Sequence, residues 1–159
     1  MQTIVIDGEH LTNEEIAAVA RDGAKVSLSA SARKAVENSR GWVESIIERG
    51  EPVYGINTGF GIFADRRIPT EESAKLSRNL ILSHAVGTGA PCADEIVRAA
   101  ILVRANTLAK GFSGVRPVII DTLIEMLNKN VIPVVPSQGS LGSSGDLAPL
   151  SHVGLVFTT

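Results

Sequence analysis

The chain has 159 residues, 44% of them hydrophobic, and a formal net charge of −2. That size and apolar content support one domain with a real core and exclude a disordered tail, and the mixed charges give no electrostatic case for nucleic acid or an anionic membrane. The lone cysteine, Cys92, excludes an internal disulfide; no apolar run is long enough to span a membrane, and the opening "MQTIVIDGEHL" lacks a signal peptide's basic segment, so a cytoplasmic protein is expected.

In chain order, "TIVIDG" and "KVSLS" predict two short strands that pair as a ribbon. Between them Thr12, with Glu15 three residues on, forms a capping-box pattern opening a short helix. Val36, Val43, Ile46 and Ile47 recur at helical spacing from Ser31 towards Gly50, a C-terminal stop. A Gly-rich loop, "YGINTGFG" (Tyr54 to Gly61), follows. Pro69 and Thr70 open a helix carrying Leu76, Leu80 and Ile81. Asp94 is expected to cap "EIVRAAILVRANTLAK", which ends at Gly111, and Pro117 suits the first turn of "PVIIDTLIEMLNKN". Both helices are apolar over much of their circumference, which implies burial among other helices. The final "LAPLSHVGLVFTT" reads as an apolar helix with no C-cap. The expectation is that this chain is one part of a larger folding unit.

A second permissive loop, "GSLGSSGDLAPLSH" (Gly139 to His152), precedes that helix. Pattern alone favours a helix N-cap loop, with Asp146 as the cap and Pro149 in the first turn. Anion binding at the helix start is weaker, because the Gly-Lys-Ser/Thr of a phosphate loop is missing. "GSSGD" is also not the G-x-S-x-G nucleophile elbow. Backbone chemistry is a further option. In a tight turn a Gly amide nitrogen can reach the carbonyl carbon two residues back, since Gly has no Cβ and tolerates strained backbone. Cyclisation and loss of water from the Ser side chain would leave an exocyclic methylene, an electrophile.

"GSLGSSGDLAPLSH" resembles the signature of the aromatic amino acid ammonia-lyases, the histidine lyases above all. "YGINTGFG", "LILSHAVGTGAP" and "KGFSGVRP" also resemble family segments, in family order. The resemblance implies a mainly α fold, the helical N-terminal portion of the fumarase/aspartase-like architecture with a small β-ribbon, over residues 1–159. It implies a methylidene-imidazolone (MIO) group formed from Ser143, Ser144 and Gly145: Gly145 nitrogen attacks the Ser143 carbonyl, and Ser144 loses its hydroxyl. Ser143 departs from the family's usual Ala, at a position whose side chain stays outside the ring.

The same resemblance makes Tyr54 the base that takes the β-proton, on a loop whose glycines suit a mobile lid. The plainer reading of Tyr54 is a loop aromatic over a core edge. Ser83 and His84 fall where the family selects its substrate, and Gly61 joins them as a substrate-binding residue. Histidine lyases resemble this Ser-His pair; tyrosine lyases tend to His-Leu and phenylalanine lyases to Phe-Leu. His84 would hydrogen-bond a substrate imidazole, its plainer alternative being a core histidine.

The implied reaction is elimination of ammonia from L-histidine to give trans-urocanate. The alternatives are a tyrosine or phenylalanine ammonia-lyase, an aminomutase, or a non-catalytic fragment that needs a partner chain. The implied partners are a small amino acid substrate, the C-terminal remainder of the lyase and further copies in a homotetramer, with no nucleic acid or membrane. Three scattered histidines and one cysteine suggest no metal site. His152 reads as structural and His10 as exposed. Arg104, Asn106 and Arg116 could serve subunit contacts, but a solvated face or internal salt bridges is the plainer reading.

Overall fold

The computed structural model describes residues 2–158, and the side chains of all of these but Thr70 and Ser144. Strands β1 (Thr3–Ile6) and β2 (Lys25–Leu28) form the expected ribbon. They pair in parallel, Thr3 opposite Lys25 and Ile6 opposite Leu28, because helix α1 (Asn13–Asp22) carries the chain back between them. The capping box at its start is present: Glu15 N–H donates to Thr12 Oγ1 (3.3 Å) and Thr12 N–H to Glu15 Oε2 (3.0 Å).

Helix α2 (Ala30–Arg49) begins slightly earlier than the apolar spacing indicates, because Ser29 Oγ accepts from Ala32 N–H at 3.1 Å. It ends at Gly50, in the left-handed region at φ 72°. Helix α3 (Thr70–His84) follows the Gly-rich loop. Helices α4 (Asp94–Ala109) and α5 (Pro117–Lys129) provide most of the core. Ile101, Leu102, Ala105, Ile120 and Leu123 are buried there with Ile4, Ile6, Val19 and Val26 from the N-terminal layer. Asp94 does not cap α4: Ala93 holds the cap position and Asp94 stands in the first turn, where its charge complements the helix dipole.

Arg98 of α4 is buried, with no carboxylate partner among the described residues. Its guanidinium donates to Val19 O (3.1 and 2.8 Å), to Asn130 Oδ1 (2.8 Å) and to Leu127 O (3.4 Å). It therefore satisfies carbonyls near the C-terminal ends of α1 and α5. After α5, strand β4 (Pro136–Gln138) pairs antiparallel with β3 (Thr88–Pro91), Thr88 opposite Gln138. The chain closes with helix α6 (Leu147–Gly154) and a 3-10 turn over Leu155–Phe157. Among the described residues no helix is long and apolar enough to cross a membrane.

Candidate functional site

Tyr54 sits on a loop fastened at its base and open at its tip. Asn57 does much of the fastening: its Oδ1 accepts from Val53 N–H and its Nδ2 donates to Glu51 O, both at 2.8 Å. Ile68 N–H returns to Asn57 O at 2.8 Å. Tyr54 itself is 63% exposed and meets Phe60 edge-on, with ring centroids 5.9 Å apart. Gly61 starts a 3-10 turn with φ 59° and open space where a Cβ would stand.

Ser83 and His84 occupy the last turn of α3. His84 Nδ1 lies 2.8 Å from Leu80 O, an acceptor only, so Nδ1 carries the proton. Ser83 Oγ also donates to Leu80 O (2.8 Å) and lies 3.0 Å from His84 Nδ1. The ring is fixed by its own helix, and Nε2 is left as its acceptor.

Ser143, Ser144 and Gly145 form the turn before α6. Residues 142–144 make a 3-10 turn, closed by Gly145 N–H donating to Gly142 O at 3.2 Å. Gly145 (φ 86°) and Asp146 (φ 57°) then take consecutive left-handed conformations, which Gly adopts freely and Asp more readily than most residues. Asp146 occupies the N-cap position of α6, but its side chain binds no helix amide. It accepts from Ser140 Oγ instead and closes the loop on itself. The left-handed backbone of Asp146 replaces the extended one that side-chain capping uses.

A cavity of about 630 Å³ brings these elements together. Tyr54, Phe60 and His84 line it, with Leu80, Leu123 and, from α6, Leu147, Leu150 and Ser151. The predicted base and the predicted specificity residue thus face one space, walled by the helix that follows the Ser143–Gly145 turn. Ser83 and Gly61 are not in that wall. Ser143 and Gly145 are exposed, immediately ahead of Leu147.

Arg104, read from sequence as a surface or salt-bridge residue, is half-buried and lines the cavity. It carries the one permanent charge among the described lining residues. Asn106 is half-buried, its Oδ1 accepting from Gly8 N–H at 2.9 Å, whereas Arg116 is exposed. His10 is exposed and paired with Asp7 at 2.6 Å. His152 is half-buried and accepts from Gly87 N–H at 3.0 Å. Among the described residues no cluster of His, Cys, Asp and Glu is placed to hold a metal ion.

A family model for aromatic amino acid lyases matches residues 11–159. The chain belongs to the aromatic amino acid lyase family. Within that family it is 53% identical over 156 residues to the histidine ammonia-lyase of Caldanaerobacter subterraneus subsp. tengcongensis. That match covers 98% of this chain and 31% of the relative, so the chain spans about a third of the curated relatives' length.

Among solved structures, ergothionase from Treponema denticola superposes with a TM-score of 0.94 at 32% identity, over 98% of this chain and 31% of that one. Tyrosine aminomutase from Streptomyces globisporus superposes at 0.89 with 40% identity, over 95% and 28%. These lyase-family neighbours confirm the mainly α fold with small sheets. Ergothionase and tyrosine aminomutase carry different activities on one fold, so the fold by itself does not name a substrate.

Proposed function

We propose that this chain is the N-terminal, electrophile-bearing part (residues 1–159) of a cytoplasmic histidine ammonia-lyase, which converts L-histidine to trans-urocanate and ammonia. The observation that carries the reading is the shared cavity: Tyr54 and His84 line one space whose wall is the helix directly after Ser143-Ser144-Gly145. The 53% identity to a histidine ammonia-lyase supports the substrate.

The turn fits the cyclised group. Residues 142–144 already turn back on themselves, with Gly145 N–H on Gly142 O, and beyond the adjacent residues no atom stands within 4 Å of a Cβ position at Gly142 or Gly145. Gly145 holds a positive φ of 86° that a side chain would strain. Cyclisation joins Gly145 nitrogen to the Ser143 carbonyl carbon and expels water; a second water leaves with the Ser144 hydroxyl. The group supplies an electrophilic methylene carbon that makes the substrate amine a better leaving group.

The chain's own side chains do the rest. Tyr54 oxygen takes the β-proton from the loop side of the cavity. His84, its Nδ1 proton engaged with Leu80 O, offers Nε2 to the imidazole N–H of the substrate. Arg104 suits the carboxylate, since a guanidinium pairs with it at two points. The Cβ–H and Cα–N bonds break and one C=C bond forms, so no oxidant or reductant is required.

Aminomutase chemistry on tyrosine is a second reading, favoured by the 40% identity to tyrosine aminomutase. Incubating the complete lyase containing this chain with histidine and with tyrosine separates the two. Urocanate absorbance from histidine is the expected result. Coumarate or β-tyrosine as the main product would assign the other branch.

A further inference from the structure

Two segments far apart in sequence meet, each continuous with a helix that lines the cavity. One follows Ser83–His84 directly; the other leads into and out of the Ser143–Gly145 turn. Strands β3 and β4 pair them, Thr88 opposite Gln138. Gly139 has φ 125°, and a Cβ there would stand 3.1 Å from Gly87 Cα. Gly87 is packed as closely: a Cβ on it would lie 3.0 Å from His152 Nε2 and 3.2 Å from Gln138 O. The last tie is polar, with Gly87 N–H donating to His152 Nε2 at 3.0 Å across 65 residues.

That bond fixes the state of His152. An imidazole nitrogen that accepts holds a lone pair, so Nε2 is bare and Nδ1 bears the proton in the neutral ring. His152 is on α6, the helix that the electrophile turn opens into. Its neighbours Leu150 and Ser151 line the cavity, but His152 does not. It touches no substrate space and acts through what it holds.

We propose that His152 is a positioning residue, which fastens the helix behind the Ser143–Gly145 turn to the segment behind Ser83–His84. It thereby sets the spacing between the end of the site that captures the amine and the end that reads the substrate ring. A fixed spacing matters because displacement of reacting groups by about 1 Å can lower a rate on the order of a hundredfold. The catalytic consequence rests on the lyase reading above; the fastening does not.

The test has two arms. In the complete lyase containing this chain, selectively ¹⁵N-labelled at histidine and glycine, the side-chain spectrum of His152 is expected to show the proton on Nδ1 and a bare Nε2 coupled to the Gly87 amide. A proton on Nε2 overturns the proposal. Gly87 amide exchange should quicken about tenfold or more in His152→Leu and return towards the original rate in His152→Gln, whose amide oxygen can accept the same N–H.

In the complete lyase, His152→Leu should lower kcat on histidine roughly ten- to a hundredfold, with KM moved less than about threefold, and His152→Gln should recover most of the loss. Unchanged kcat in a folded His152→Leu enzyme overturns the positioning role. If the Leu variant does not fold, His152→Asn, polar but too short to reach Gly87, takes its place under the same criteria. Absence of urocanate from the unmutated enzyme would instead sink the lyase reading, and the tautomer and the Gly87 exchange rate would still decide whether His152 fastens the two segments.

Discussion

Ser143 and Ser144 carry the same side chain and are expected to respond oppositely to the same substitution. Only Ser144 can surrender its hydroxyl to become the methylene carbon, so Ser144→Ala should abolish urocanate formation while circular dichroism stays unchanged. Ser143→Ala restores the family's commoner residue and should keep turnover. A soluble Ser144→Ala enzyme with near-normal activity would refute the proposed electrophile. At His84, the expected preference for histidine over tyrosine is at least about tenfold in kcat/KM, or ~1.4 kcal/mol of transition-state binding. His84→Leu should erode it, and an unchanged ratio would show that the ring is read elsewhere. Arg104→Leu should raise KM for histidine about tenfold with little change in kcat, the pattern of a lost binding contact. Tyr54 and His84 are legible in the sequence through the motifs around them. Arg104 is not, because α4 reads as an apolar helix with a few polar positions, and spacing alone does not tell which guanidinium faces a cavity formed by four other segments.

Among the elements, the helices are legible because each carries its own start, stop and apolar spacing. The β3–β4 pair is not: "TGAP" and "PSQ" have no β-branched alternation, and their pairing depends on the close approach of Gly87 and Gly139. The caps are partly legible. Thr12 behaves as its motif demands, whereas Asp146 goes left-handed and turns to Ser140. Arg98 shows how polar groups hold the helices together. Arg98→Met would take the guanidinium donor from Val19 O and Asn130 Oδ1, while Leu127 O keeps Asn130 N–H at 3.3 Å. The expected cost is about 2–3 kcal/mol, read as a lower urea midpoint at constant slope, and an unchanged midpoint would contradict it.

The turn ahead of α1 carries a pH dependence. Glu9 N–H, the His10 ring and His10 N–H hold the Asp7 carboxyl below the usual carboxylate range, and Asp7 raises His10. Asp7's contribution is therefore present above about pH 4 and lost as pH falls, while that of His10 is complete below about pH 6.5 and lost as pH rises past its elevated value. The pair supports the fold most between those limits. His10→Ala should flatten the urea midpoint against pH from 5 to 8. The same slope in both proteins would show that the pair contributes nothing.

For the whole molecule, the chain is 31% of its relatives' length, yet it holds a cavity and leaves several large apolar side chains exposed. Tyr54 is 63%, Ile62 87%, Phe112 87% and Val86 66% exposed. Such surface favours association. Residues 1–159 alone are expected to be inactive and to oligomerise or aggregate, and adding the remaining part of the lyase, in cis or in trans, should restore solubility and activity in a homotetramer. Sedimentation with a urocanate assay checks this; an active, stable monomer would contradict it. The most direct test of the central claim is the mass of the Gly139–His152 segment, released by proteolysis from a preparation that converts histidine to urocanate. A mass lower than the sequence by two waters is expected, with the loss abolished in Ser144→Ala. An unmodified mass in a preparation that still makes urocanate would contradict it.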